Sequence, residues 1–351
     1  MLRLPGLLDP HVHVREPGAT HKEDWATATA AALAGGFTAI LAMPNTQPPI
    51  TDAATLRQAL DAARGKARCD YAQYLGATAH NAQAIAPLAP QAAGLKMYLN
   101  QTYGTLRLAD MAAWRPHFIH WPATAPLVVH AEGHTVAAAI LFAALYERAV
   151  HIAHVSRRDE ILLIRAAKAR GLPVTCEVTP HHLFLTAADV AHLPPGRREV
   201  RPRLATPADR EALWENLDVI DCFATDHAPH TLAEKDGPQP PPGFPGLETA
   251  LPLLLTAVHE GRLSMEDLVA RMSTNPRRIF GLPPQAETWI EVAPKAAWEI
   301  PAQGWQSRAN WSPFAGMKVR GRVTRVVLRG QVVFQDGRVF APQGFGRALR
   351  G

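Results

Sequence analysis

The chain has 351 residues, 47% of them apolar and 19% charged, which is enough for one large domain with an appendage or for two ordinary ones. No run of 18 apolar residues occurs and no charged segment leads into a long apolar one near Met1, so neither a membrane span nor a signal peptide is expected, and the expected location is the cytoplasm. The formal charge of +5 is spread without a basic block, which argues against nucleic acid as a partner and mildly favours anionic small molecules, while the scattered Cys69, Cys176 and Cys222 argue against disulfides and a thiolate zinc site.

Taken in order, the chain repeats one rhythm: a short apolar run, a polar residue at its end, then an Ala-rich helical stretch. Leu4 to Leu8 runs into His11 and His13, and a helix is predicted from Lys22 to Ala34, closed by Gly35 and Gly36. Thr38 to Met43 ends at Asn45 and is followed by a helix from Asp52 to Gly65. Asp70 to Gly76 is the third run, with helical residues at Asn81 to Leu88, and Gly94 to Tyr98 is the fourth, containing Lys96. Leu127 to Val129 ends at His130 before a helix from Thr135 to Arg148, and Val150 to Ala153 ends at His154 before a helix from Arg158 to Arg170. Pro173 to Cys176 ends at Glu177, and Val219 to Ala224 ends at Asp226 with His230 just beyond. Eight strand-then-helix units predict a (β/α)8 TIM barrel over residues 1–285.

Beyond the eighth run, helices are predicted at Leu247 to Glu260 and Met265 to Met272, and Asn275 to Phe280 leads to a boundary at Pro283 and Pro284. The pattern then changes to alternating strands, Trp289 to Val292, Val319 to Leu328 and Val332 to Phe334, with turns at Arg329-Gly330 and Asp336-Gly337. Residues 286–351 are read as a small β module and tail closing against the barrel, the module being formed by the C-terminal segment together with the N-terminal end. Pro238 to Pro245, with five prolines, is too stiff for a helix and is read as a wall of the site.

Catalytic groups of such barrels lie at the carboxyl ends of the strands. There the sequence puts His11, His13, Lys96, His130, His154 and Asp226. A single His-x-His is weak evidence, but two imidazoles at i and i+2 of a strand share a side, and six donors at one rim point to a common metal centre. Lysine is a poor ligand as an ammonium. Inside the apolar run Gly94-Leu95-Lys96-Met97-Tyr98-Leu99 burial favours the neutral amine, which can take up carbon dioxide and become a two-oxygen carbamate. Such a group bridges two cations about 3.5 to 4 Å apart, the spacing of two-metal hydrolytic sites. His11, His13 and Asp226 would hold one metal and His130 and His154 the other; nitrogen and oxygen donors suit Zn²⁺, with Asp226 placed as general base and acid.

These six residues resemble the metal set of the amidohydrolase superfamily. The longer strings Asp9-Pro-His-Val-His-Val-Arg-Glu-Pro-Gly18, Met43-Pro-Asn-Thr46 and Asp226-His-Ala-Pro-His230 resemble the dihydroorotase family, closest to the dihydroorotase domains of animal multifunctional pyrimidine-synthesis proteins. The resemblance covers nearly the whole chain. It implies reversible cyclisation of N-carbamoyl-L-aspartate to L-dihydroorotate, two Zn²⁺ bridged by carboxylated Lys96, and a homodimer, with other enzymes of the pathway as further partners. By position it implies that Arg15, Asn45 and His230 grip the substrate carboxylate, and that Arg201 with the backbone near Pro242 and Gly243 holds the ring amide or carbamoyl group. Thr102 and Tyr103 match a mobile loop that closes over substrate. Ala153 stands where close animal relatives have a Cys, which leaves Glu177 either as support for a metal ligand or as part of an extra metal site. A hydantoinase or dihydropyrimidinase on the same metal set, and an inactive dihydroorotase-like subunit, are the alternatives.

Overall fold

A computed structural model describes residues 1–351. Its strands are β1 (Leu2–Pro5), β2 (Leu7–Val12), β3 (Phe37–Ala42), β4 (Asp70–Gln73), β5 (Leu75–Gly76), β6 (Leu95–Tyr98) and β7 (Leu127–His130). They continue with β8 (Val150–Ile152), β9 (Val174–Val178), β10 (Cys222–Phe223), β11 (Trp289–Glu299), β12 (Lys318–Leu328), β13 (Gln331–Gln335) and β14 (Arg338–Val339). Strands β2 to β4 pair in parallel, as do β5 to β10. The third barrel strand is broken at Tyr74, whose N–H turns to Ala42 O at 2.9 Å while Leu75 N–H takes Gly94 O at 3.1 Å. The ring closes between β10 and β2, where Val12 pairs with His227 and His13 N–H donates to His227 O at 2.8 Å. The result is the TIM barrel, its strands buried on both faces and therefore near-continuous apolar runs. No helix is long and apolar enough to cross a membrane.

The structure corrects the start of the chain. The run predicted over Leu4 to Leu8 is divided at Gly6: β1 joins the antiparallel sheet β1-β11-β12-β13-β14, and the first barrel strand is β2, carrying His11 within it. A side chain at Gly6 would lie 2.3 Å from Thr38 Oγ1, so only glycine allows the crossing. The first helix is Trp25–Ala34 rather than starting at Lys22, because Asp24 caps it, accepting from Thr27 N–H at 2.9 Å. Lys22 and Glu23 are thereby left in a buried loop. The last barrel strand is only Cys222–Phe223, and β11 runs on to Glu299 through a register shift that accommodates Pro294. The turns at Arg329-Gly330 and Asp336-Gly337 each place both residues at positive φ, the geometry of a tight hairpin.

One apolar cluster of 71 buried residues runs from the barrel into the antiparallel sheet, taking in Leu4, Ile290, Val326 and Phe334. Asp70, at the amino end of β4, ties the pieces together at the barrel's lower face. Its carboxylate accepts from the Arg329 guanidinium, from Arg347 N–H at 2.9 Å and from the Gln285 amide at 2.6 Å, joining β4 to the sheet, the tail and the linker. Asp70→Ala leaves these donors unpaired and is expected to destabilise the fold by on the order of 3 kcal/mol. A denaturant midpoint equal to that of the unsubstituted chain would show that Asp70 has no such role.

Candidate metal centre and anion pocket

His11 lies in β2, Lys96 in β6 and His130 at the end of β7, while His13, His154 and Asp226 follow the ends of β2, β8 and β10. Three of the residues around this rim, Arg15 (φ 66°), His154 (φ 37°) and Asp226 (φ 43°), hold left-handed backbone without being glycine. Such conformations cost energy and persist where the surroundings fix them, commonly at sites of function. Donor atoms of His11, His13 and Asp226 lie within 4.8 Å of one another, all three buried. Asp226 Oδ1 is 3.3 Å from His11 Nε2 and 3.1 Å from His13 Nε2. His154 completes the arc, its ring centroid 5.3 Å from that of His11, and its Nε2 meets His130 Nδ1 at 2.8 Å.

Charge states follow from burial. Burial pushes the His13 imidazole down to about 4, against the pull of Asp226, and pushes His130 and His154 down as well, which favours the neutral form that can ligate. Burial works against ionisation of Asp226, yet His11, His13 and His154 together hold its carboxyl well below the usual range. Burial lowers Lys96 to about 8. Its side chain is fully buried and Nζ has no hydrogen-bond partner; His154 Nδ1 is likewise unpartnered. A buried ammonium without an acceptor is costly, whereas a lysine that carries a carbamate between metal ions has every polar atom used. The donor set and these two orphaned nitrogens fit a metal centre.

Supporting contacts orient the rings. His11 Nδ1 donates to Glu177 Oε1 at 2.5 Å, and Glu177 Oε2 is 3.1 Å from His151 Nε2. Burial opposes a charged Glu177, but His11 and His151 outweigh it and hold the carboxyl below the ordinary range. His13 Nδ1 donates to Asn45 Oδ1 at 2.7 Å, leaving Nε2 for the centre. Both nitrogens of His130 are engaged, Nε2 with Glu132 Oε1 at 3.0 Å, so one contact must open for it to bind a metal.

Beside the centre lies a cationic corner. Arg15, 3% exposed, donates through Nε to Pro229 O at 3.1 Å and meets His230 Nε2 through Nη2 at 3.0 Å, and it makes no ion pair with any carboxylate of the chain. His230 Nε2 also faces Pro242 O at 3.1 Å, and burial, then Arg15 and Lys22, push its imidazole well down. Asn45 Nδ2 donates to Tyr103 O at 3.1 Å, and the Tyr103 ring lies over Arg15; Thr102 beside it is half-buried. Arg201 stands apart from this corner, in an open cleft of about 310 Å³ with Asn100, Glu132, Arg157 and Arg203, on the His130 side. Gly243 O accepts from Lys235 Nζ at 3.2 Å.

Sequence reasoning missed Lys22, Lys235, His151 and Glu23, whose carboxylate lies 3.4 Å from His227 Nε2 and accepts from Ser307 Oγ at 2.5 Å. Lys235 is fully buried and donates to Glu199 O, Pro241 O and Gly243 O, pinning the proline-rich wall. Each of the three charged residues sits in a short charged run that reads as solvated surface, so no local signal marks it.

A family model described as "Dihydro-orotase-like" matches residues 1–102. The chain is 56% identical to the "Multifunctional protein CAD" of Squalus acanthias over 350 residues, spanning 100% of this chain but 16% of that protein. With the "Dihydroorotase" of Pyrococcus abyssi it shares 36% identity over 365 residues, covering 97% of this chain and 86% of that protein. The chain belongs to the dihydroorotase family. Solved structures of similar fold include the L-hydantoinase of Arthrobacter aurescens (TM-score 0.94, 27% identity, 100% of this chain and 89% of that one). Another is the inactive dihydroorotase-like domain of the Chaetomium thermophilum CAD-like multifunctional protein (TM-score 0.85, 32% identity, 99% of both chains). The dihydroorotase family is metal-dependent, and His11, His13 and Asp226 are the three-donor group this chain presents for it. Glu177→Gln removes the charge that orients His11 and is expected to weaken metal binding by roughly tenfold or more. Competition with a chelating dye measures this; unchanged affinity would mean that His11 is held by other contacts.

Proposed function

We propose that the chain is a dihydroorotase, interconverting N-carbamoyl-L-aspartate and L-dihydroorotate in pyrimidine synthesis. Arg15 is the observation that carries this reading. A buried guanidinium with no carboxylate of its own chain is matched by a substrate that brings one, through a charge-assisted contact. Hydantoins and dihydropyrimidines lack that carboxylate. The inactive relative shares the fold, so the distinction from it rests on side chains, and here all six metal-type residues are filled.

In this reading His11, His13 and Asp226 would hold one Zn²⁺, His130 and His154 would hold the other, and Lys96, as its carbamate, would supply oxygen donors to both. Bound there, two Zn²⁺ supply Lewis acidity toward the ring carbonyl and toward water. Asp226, ionised because the histidines hold its carboxyl low, takes a proton from the attacking water and passes it to the departing ring nitrogen; in the cyclising direction it takes the proton from the carbamoyl nitrogen. Arg15, Asn45 and His230 hold the carboxylate that is not reacting. Asn45 leaves Tyr103 O, and keeps or shares His13, when it does so. Arg201 and the backbone at Pro242 and Gly243 face the ring amide, Thr102 and Tyr103 close over it, and Glu177 supports His11 rather than binding a third metal. Ring closure converts a dianion into a monoanion and so consumes a proton; acid favours the ring.

The same reading makes the chain a cytoplasmic homodimer that works beside other enzymes of the pathway. The exposed Leu141 and Leu145 of helix His134–Leu145 and the exposed Leu162 of the neighbouring helix Arg158–Ala169 offer apolar surface for a second copy.

Turnover of dihydroorotate, dihydrouracil and hydantoin, compared on one preparation, tests the assignment. Arg15→Met is expected to lower kcat/KM for dihydroorotate by roughly tenfold to several hundredfold, the loss of one buried charge-assisted contact. A variant that handles dihydroorotate normally, or an unsubstituted chain that prefers dihydrouracil, would contradict the assignment.

A further inference from the structure

Lys22 lies just ahead of the Asp24 cap, 5% exposed, and its ammonium has three acceptors. Nζ is 2.9 Å from Glu234 Oε1, 3.2 Å from His230 Nδ1 and 3.1 Å from Tyr103 Oη. Glu234 and His230 belong to the stretch that follows β10, whereas Tyr103 belongs to the loop after β6. The Tyr103 ring is held between cations, with Lys22 Nζ at 4.9 Å and the Arg15 guanidinium carbon at 5.1 Å from its centroid, and it meets the His230 ring edge-on at 5.1 Å.

An ammonium offers three protons, and here two go to groups fixed to the barrel while the third reaches the loop. Glu234 and His230 therefore keep Lys22 in place whether or not the loop is docked, and docking adds one hydrogen bond from a charged donor that is already positioned. We propose that Lys22 is a positioning residue for the reaction, a latch whose ammonium holds the Asn100–Thr105 loop over the carboxylate pocket through the Tyr103 hydroxyl. This rests on the dihydroorotase reading of that pocket. It gives Tyr103 a role that phenylalanine at the same place cannot fill.

A double-mutant cycle on the full chain tests the latch with Tyr103→Phe, Lys22→Met and the pair. Two readouts are taken: KM for dihydroorotate, and the rate at which trypsin cuts after the exposed Arg107, at the foot of the loop. Tyr103→Phe, which removes one oxygen, is expected to raise both by roughly threefold to tenfold, the range of an ordinary net hydrogen bond, because the half-buried Tyr103 leaves the charged donor partly screened. In the Lys22→Met background the same substitution is expected to change nothing further. An equal effect of Tyr103→Phe in both backgrounds overturns the latch, as does an unchanged cleavage rate and KM in Tyr103→Phe alone, which decides the matter if Lys22→Met does not fold. Cleavage needs no substrate. A chain without dihydroorotase turnover would thus refute the functional reading while the cycle still reported on the latch.

Discussion

A fully buried lysine amine with no hydrogen-bond partner is the constraint around which the upper face of the barrel is arranged. Lys96 cannot reach solvent and finds no acceptor, so burial drives it toward the neutral amine. The same burial disfavours the charged form of His13, His130 and His154, while the imidazole nitrogens facing Asp226, His11 foremost, favour its carboxylate. One desolvated volume thus gathers a lysine whose ammonium is disfavoured, imidazoles pushed toward neutrality and a carboxylate, a combination that a pair of divalent cations and a carbamate would satisfy together.

The positions of those groups depend on how the chain is divided at Gly6. Leu2–Pro5 belongs to the antiparallel sheet and Leu7–Val12 to the barrel, so the strand that carries His11 is anchored at its start by the sheet and at its end by pairing to His227. Glu177 and Asn45 then hold the Nδ1 sides of His11 and His13, which turns both Nε2 atoms toward Asp226. Left-handed backbone at Arg15, His154 and Asp226 shows the same over-determination in the main chain. Arg15 is buried beside this centre and makes no ion pair with a carboxylate of the chain.

Much of this is legible in the sequence because it is periodic. The apolar runs that predict the barrel are buried on both faces, and the donors sit at the ends of those runs, where barrel geometry gathers them. What is not legible is set by long-range contacts. Nothing near Lys22 or Lys235 in the chain distinguishes them from solvated lysines; their burial comes from the Asp24 cap, which pushes Lys22 out of the helix, and from three carbonyls around Lys235 that lie far from it or across a stiff turn. The shortness of β10 has the same origin, since Asp9 captures Thr225 through N–H at 3.1 Å and draws the following residues off the ladder. Asn45, placed on the substrate by resemblance, is found on His13 and on the loop, a connection that only the folded arrangement displays.

Everything proposed for the upper face of the barrel depends on the chemical state of Lys96. The direct measurement is a carbon-13 NMR spectrum of the metal-loaded chain equilibrated with labelled bicarbonate, with metal content determined on the same sample. The account predicts a carbamate carbonyl resonance that is absent from Lys96→Ala and two metal ions per chain that fall when the lysine is removed. A fully active chain with two metals and no carbamate resonance would contradict it.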